Sequence, residues 1–194
     1  MPPIQLDLPQ PDRNRESQYE VTLLNNVISV FRRKPHTLIW AADLNTLVLS
    51  EQFNQLFTTV GSNIVFGLGE HKDQYQKIVK DRKKILFFNR DEPPRENKAL
   101  YGHHPFYMSY EQNGSTVNAH SALLLNVHPI ELIFMNKPGM LWRTLGGSFD
   151  FFINLGPTPM QAIQQHVQMV GKPPLGNEQK IFRSLKAEKW HSSN

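Results

Sequence analysis

Between Phe149 and Leu155 the chain alternates. Phe149, Phe151, Ile153 and Leu155 fall on one side of an extended segment, and Asp150, Phe152 and Asn154 on the other. This two-residue period predicts a strand with one buried face. Shorter β-branched and aromatic runs recur from about residue 20 onward: Val27, Ile28, Val30 and Phe31, then residues 37–41, 47–49, 64–68, 85–88 and 106–110. Turn chemistry separates them at Val60-Gly61-Ser62, Gln112-Asn113-Gly114 and Lys137-Pro138-Gly139. Many short strands without alternating helices predict an all-β fold, an antiparallel β-sandwich.

One C-terminal α-helix is predicted. Thr158 suits its N-cap, Pro159 its first turn, and Gln161 completes a capping box. Met160, Ile163, Val167 and Val170 then recur along one face, and Gly171 with Lys172-Pro173-Pro174 ends the helix. Beyond Pro174 the character changes. Residues 177–190 are charged, with Ile181, Phe182 and Leu185 as a thin apolar stripe that could form a short helix. The expected division is an extended or disordered segment over 1–18, a sandwich domain over 19–173, and a short tail over 174–194.

Composition narrows the classes. With 39% hydrophobic and 20% charged residues in 194, the chain can bury one real core. The net charge of +4 arises from scattered clusters at 32–34, 80–84 and 180–189, none interleaved with aromatic residues, so no nucleic-acid partner is expected. Apolar runs such as 122–125 and 149–153 stop far too soon to span a bilayer, and residues 1–20 lack the apolar core of a signal peptide. The absence of cysteine excludes disulfides, thiolate metal sites and a cysteine nucleophile. The sequon Asn113-Gly114-Ser115 reads more simply as a hairpin turn.

Few constellations carry chemistry. There is no phosphate-binding glycine loop, no His-Glu-x-x-His and no Gly-x-Ser-x-Gly. His103 and His104, read with His71 and His120, suggest a metal site only superficially: neighbours on a strand point to opposite faces, so neither a metal nor another cofactor is expected. The same geometry separates Asp91 from Glu92. Two segments stand out: Gly67-Leu68-Gly69-Glu70 after a strand, and Phe87-Phe88-Asn89-Arg90-Asp91 before the proline-bearing stretch 92–99 that leads to Leu100-Tyr101-Gly102-His103.

Read together, these segments become familiar. Leu47-Val48-Leu49-Ser50-Glu51-Gln52-Phe53, Phe66-Gly67-Leu68-Gly69-Glu70-His71, Asn89-Arg90-Asp91 and Leu100-Tyr101-Gly102-His103-His104-Pro105-Phe106 come in order. Leu124-Leu125-Asn126, Trp142-Arg143-Thr144-Leu145-Gly146-Gly147 and Leu155-Gly156-Pro157-Thr158-Pro159 follow. In order and spacing, from about Tyr19 to Pro173, the chain resembles the amino-terminal domain of glycoside hydrolase family 31, in its maltase-glucoamylase, sucrase-isomaltase and lysosomal α-glucosidase branch.

The resemblance implies a galactose-mutarotase-like sandwich packed on a catalytic (β/α)8 barrel, with one loop reaching over the barrel mouth to help form the sugar pocket. It places Arg90, Asp91 and Tyr101 at that loop as carbohydrate contacts. The family's catalytic segment W-x-D-x-N-E occurs nowhere in the 194 residues, nor does its acid/base carboxylate. The expectation is therefore a truncated α-glucosidase-family protein, inactive alone, whose catalytic residues are absent. Its ligand would be an α-glucoside or maltooligosaccharide, bound weakly. The alternative is a stand-alone, weak carbohydrate-binding module or a protein-interaction module with a protein partner on the uncovered sandwich face. Relatives are lumenal, secreted or membrane-anchored, and the compartment of this chain stays open.

Overall fold

A computed structural model describes residues 18–72, 76–78, 82–96, 98–136 and 139–172, apart from the side chains of 76–78. The expected N-terminal segment and the tail beyond Lys172 lie outside the described residues.

The described chain runs β1 (Tyr19–Leu24), β2 (Val27–Arg33), β3 (His36–Leu49), β4 (Asn54–Val60), β5 (Ile64–His71), β6 (Gln76–Ile78) and β7 (Lys84–Phe87). It continues through β8 (Ala99–Asn113), β9 (Thr116–Leu125), β10 (Ile130–Met135), β11 (Gly139–Thr144), β12 (Asp150–Asn154) and one helix, α1 (Pro159–Val170). A seven-stranded sheet, β1-β2-β3-β4-β11-β10-β7, faces a five-stranded sheet, β12-β9-β8-β5-β6. Strand neighbours pair antiparallel throughout. The expected all-β antiparallel sandwich with a single helix is what the chain forms.

Alternation builds the core. In β4, Asn54, Leu56, Thr58 and Val60 are buried while the intervening residues are less so. Leu56 pairs with Trp142 of β11, and Thr58 with Met140, so these four side chains share the inner face. The buried Trp142 indole donates to Thr58 Oγ1 at 2.9 Å, which explains a threonine in an otherwise apolar layer. Tyr107, Ala122 and Leu124 meet this layer from the five-stranded sheet, and Phe149, Phe151, Ile153 and Leu155 pack at its margin on the face their alternation predicts.

A charged bridge spans the layers. Arg32 of β2 donates to both carboxylate oxygens of Glu111 in β8, at 2.8 and 3.0 Å, and to the Leu155 carbonyl at 2.6 Å. His120 of β9 places Nδ1 2.9 Å from the same carboxylate. All three side chains are buried. Burial alone would push the Glu111 carboxyl up. The hydrogen bonds and charges of His120 and Arg32 outweigh it, leaving the group below the ordinary glutamate value.

Two expectations about the strands need correction. Residues 37–41 and 47–49 are not separate strands but parts of β3. Its register against β4 shifts between Asp43 and Val48, where Asn45 turns back onto the Asp43 carboxylate, so the chain bends without leaving the sheet. The β8–β9 hairpin turns at Gly114-Ser115, one residue later than an Asn-Gly turn, because Asn113 still pairs with Thr116 and Gly114 (φ +59°) takes the first central position.

The helix is capped as its sequence predicts. Thr158 Oγ1 accepts from the Gln161 amide, the Gln161 side chain takes the Thr158 amide, and Gly171 N–H closes on Val167 O. Its buried contact, however, is Ala162, while Met160, Ile163 and Val170 face outward. The surface it meets includes buried Ser121 and Ala119, which lets the helix backbone come close: Ser121 Oγ lies 3.5 Å from the Ala162 carbonyl.

Candidate functional site

Of the candidate residues, Arg90 and Asp91 lie on the connection between β7 and β8, and Tyr101 lies at the start of β8. β7 ends at the buried Phe87, which fixes the root of the loop in the core. The neck closes where the Arg90 amide donates to the Leu100 carbonyl at 2.9 Å. Above it Tyr101 is exposed, and its phenol donates to Asp91 Oδ1 at 2.8 Å across the loop. The fold thus brings Asp91 and Tyr101 together, ten residues apart in sequence. Arg90 does not join them: its guanidinium turns to Glu92.

Further supports come from the end of β5. The Glu70 carboxylate accepts from the Gly102 amide at 2.7 Å, and His71 Nδ1 lies 3.1 Å from the Lys98 carbonyl. The Tyr101 phenol is raised above the ordinary tyrosine value, first by its hydrogen bond to Asp91, then by loss of solvent and by the Glu70 charge. A phenol is protonated at neutral pH, so Tyr101 is the donor in this pair.

Two grooves flank the loop root. One, of about 520 Å³, runs between Phe53, Leu86, Phe88 and Leu145, with Arg90 and Lys98 on its rim and the Arg143–Glu131 pair in its wall. The other, of about 850 Å³, lies beyond Phe87 and Phe88 and reaches His103, His104 and His166. His103 stacks on Phe87 and His166 packs on Phe106, with ring centroids 5.7 and 4.2 Å apart. Burial first, and then the neighbouring His104, hold both imidazoles below the ordinary histidine value. Among the described residues no three histidine or carboxylate side chains converge as metal ligands, and no helix is long and apolar enough to cross a membrane.

The resemblance named Asp91, Arg90 and Tyr101 as candidates, and nothing in the sequence signalled that Glu70 and Glu92 bond to Gly102 and Arg90. Glu70 was visible only as the polar end of a glycine-rich strand, and its bond to Gly102 joins residues 32 positions apart. The Arg32–Glu111–His120 bridge left one faint signal, charges at the ends of otherwise apolar strands.

Two facing antiparallel sheets with this order, and a long β7–β8 loop braced from β5, define a sandwich of the galactose-mutarotase kind. The sequence profile described as "Glycosyl hydrolase 31 N-terminal galactose mutarotase-like domain" matches residues 15–131, and the chain belongs to that family. It is 35% identical over 175 residues to intestinal sucrase-isomaltase of Oryctolagus cuniculus, a match covering 88% of this chain and 9% of the relative. It is 39% identical over 134 residues to lysosomal alpha-glucosidase of Mus musculus, covering 67% of this chain and 14% of the relative. In fold it is similar to a family 31 dextranase of Flavobacterium johnsoniae solved with glucose. That match has a TM-score of 0.61 at 15% identity and covers 83% of this chain and 20% of the other. The chain thus spans about a tenth of these curated relatives, and the profile it matches is that of the N-terminal domain of the family.

Proposed function

We propose that this domain lends its β7–β8 loop to the sugar site of an α-glucosidase-type hydrolase whose catalytic groups belong to a partner barrel. The observation that carries this reading is the exposed Tyr101–Asp91 pair at 2.8 Å. With Oδ1 held by the phenol, Asp91 presents Oδ2 to solvent, where an ionised carboxylate accepts strong, charge-assisted bonds from vicinal sugar hydroxyls. The Tyr101 ring offers an apolar surface to the C–H face of a glucose unit. Arg90, anchored to Glu92, shapes the near side of the loop. Retaining hydrolysis requires two carboxylates about 5 Å apart across the scissile bond. Asp91, Glu92 and Glu70 are instead engaged by Tyr101, Arg90 and Gly102 respectively, so the chemical step is assigned to the barrel.

The apolar groove beside the loop favours a further role in the same assembly. Leu86, Phe88 and Leu145 are each more than half exposed there, and a groove of this kind suits the packing of a second domain.

Titration of the 194-residue chain with maltose and isomaltose, followed by amide NMR, tests the proposal. Saturable millimolar shifts centred on Asp91 and Tyr101, without glucose release, are the expected result. Loop signals that ignore both sugars would remove the assignment of these residues. Glucose release that tracks the purified protein would overturn the division of labour.

A further inference from the structure

Resting on the carbohydrate reading of the loop, we propose that Glu70 is the positioning residue that holds Tyr101, and through it Asp91, ready for sugar. The two strands that meet here do not keep step. β5 pairs Gly69 with His104 and His71 with Ala99, an advance of two residues against five on β8. The surplus forms a bulge over residues 100–103, and bulged residues lose their ladder partners. Tyr101 sits inside that bulge, thrown toward the loop.

Glu70 repairs the ladder from the side. Its carboxylate takes the Gly102 amide at 2.7 Å, while the next residue, His71, approaches the Lys98 carbonyl at 3.1 Å. Consecutive side chains of β5 therefore tie down the backbone on both sides of Tyr101. The approach is close: a Cβ at 102 would sit 2.6 Å from His104 Nε2 and 3.0 Å from the Glu70 carboxylate, so the exposed His104 ring would have to turn aside. Glu70 does not touch Asp91; it acts through Tyr101. Its negative charge also adds, after the Asp91 hydrogen bond and desolvation, to the upward shift of the Tyr101 phenol.

The full chain is compared with Glu70→Ala and Glu70→Gln by NMR. The readouts are Gly102 amide exchange, titration of the Tyr101 ring carbon, and maltose-induced shifts at Asp91 and Tyr101. The Trp142 indole proton reports the core. In Glu70→Ala, Gly102 should exchange about tenfold faster. Tyr101 should titrate at lower pH, and the apparent affinity for maltose should fall several-fold. Glu70→Gln keeps an acceptor for Gly102 but no charge. It should restore amide protection and most of the sugar response while leaving the phenol titration lowered. A residue that served only the fold would leave the maltose shifts at Asp91 and Tyr101 unmoved while the Trp142 signal held. Unchanged Gly102 exchange and maltose response in Glu70→Ala, with the Trp142 signal intact, would overturn the assignment. Should the parent chain itself give no maltose response, the carbohydrate reading fails separately, and the hold of Glu70 on the loop is decided by exchange and phenol titration alone.

Discussion

A carboxylate on an exposed loop normally divides its bonds among mobile waters. Asp91 instead has one oxygen fixed by Tyr101, so its orientation is set before any ligand arrives. Tyr101→Phe keeps the ring but releases the carboxylate, and maltose affinity of the chain should drop several-fold in the NMR titration, with the loop's ring contact retained. The candidate pair was legible because it stands in a recognisable local motif. The buried bridge was not, since Arg32 and Glu111 lie 79 residues apart and meet only across the sandwich. Removing one partner of such a pair strands a buried charge, so Glu111→Ala should cost about 3–5 kcal/mol in urea unfolding at neutral pH. The acid limb has a defined sign. Because the folded Glu111 carboxyl lies below its ordinary value, the unfolded chain binds the proton first. Its contribution is complete above the ordinary value and drains away as pH falls toward the folded one. The difference between parent and Glu111→Gln should therefore shrink below about pH 4.

At the scale of elements, α1 separates what sequence encodes locally from what packing decides. Its cap, first-turn proline and terminal glycine are short-range features, and all are present as read. Its buried face depends on the surface it meets. Ala162 faces the small side chains of β9, whereas the apolar stripe of Met160, Ile163 and Val170 faces outward. Ala162→Leu should accordingly destabilise by about 1–3 kcal/mol through overpacking, while Met160→Gln should stay within about 0.5 kcal/mol. Thermal unfolding of the two variants distinguishes these outcomes. The junction of α1 with β8 also carries a pH signature. His166, packed on Phe106, is held below the ordinary histidine value, so the unfolded chain charges first as pH falls. Stability should decline through the ordinary histidine range, near pH 6.5, and less so in His166→Phe. The long β3 was read as two strands for a related reason: the turn-like Asp43-Leu44-Asn45 bends the strand, but pairing resumes at Val48.

At the scale of the whole molecule, the sandwich class was readable from alternation and turn spacing, and the strand order was not, because β4 pairs with β11 across the intervening strands β5 to β10. The same long-range order brings the end of β5 against the β7–β8 loop, where Glu70 and His71 meet the Gly102 amide and the Lys98 carbonyl. On the proposed reading this loop covers one side of a sugar and a second domain supplies the other, since ligand sites normally enclose most of what they bind. The most direct measurement is therefore kinetic. Residues 18–172 are exchanged for the native amino-terminal domain of a family 31 α-glucosidase, and the maltose kinetics of the parent exchange and of its Asp91→Asn form are compared. Loss of a hydrogen bond to a charged acceptor is worth about 1.5–3 kcal/mol, so kcat/KM for maltose should fall at least about tenfold. Identical kinetics in the two folded, active exchanges would contradict the claim that this domain grips the sugar.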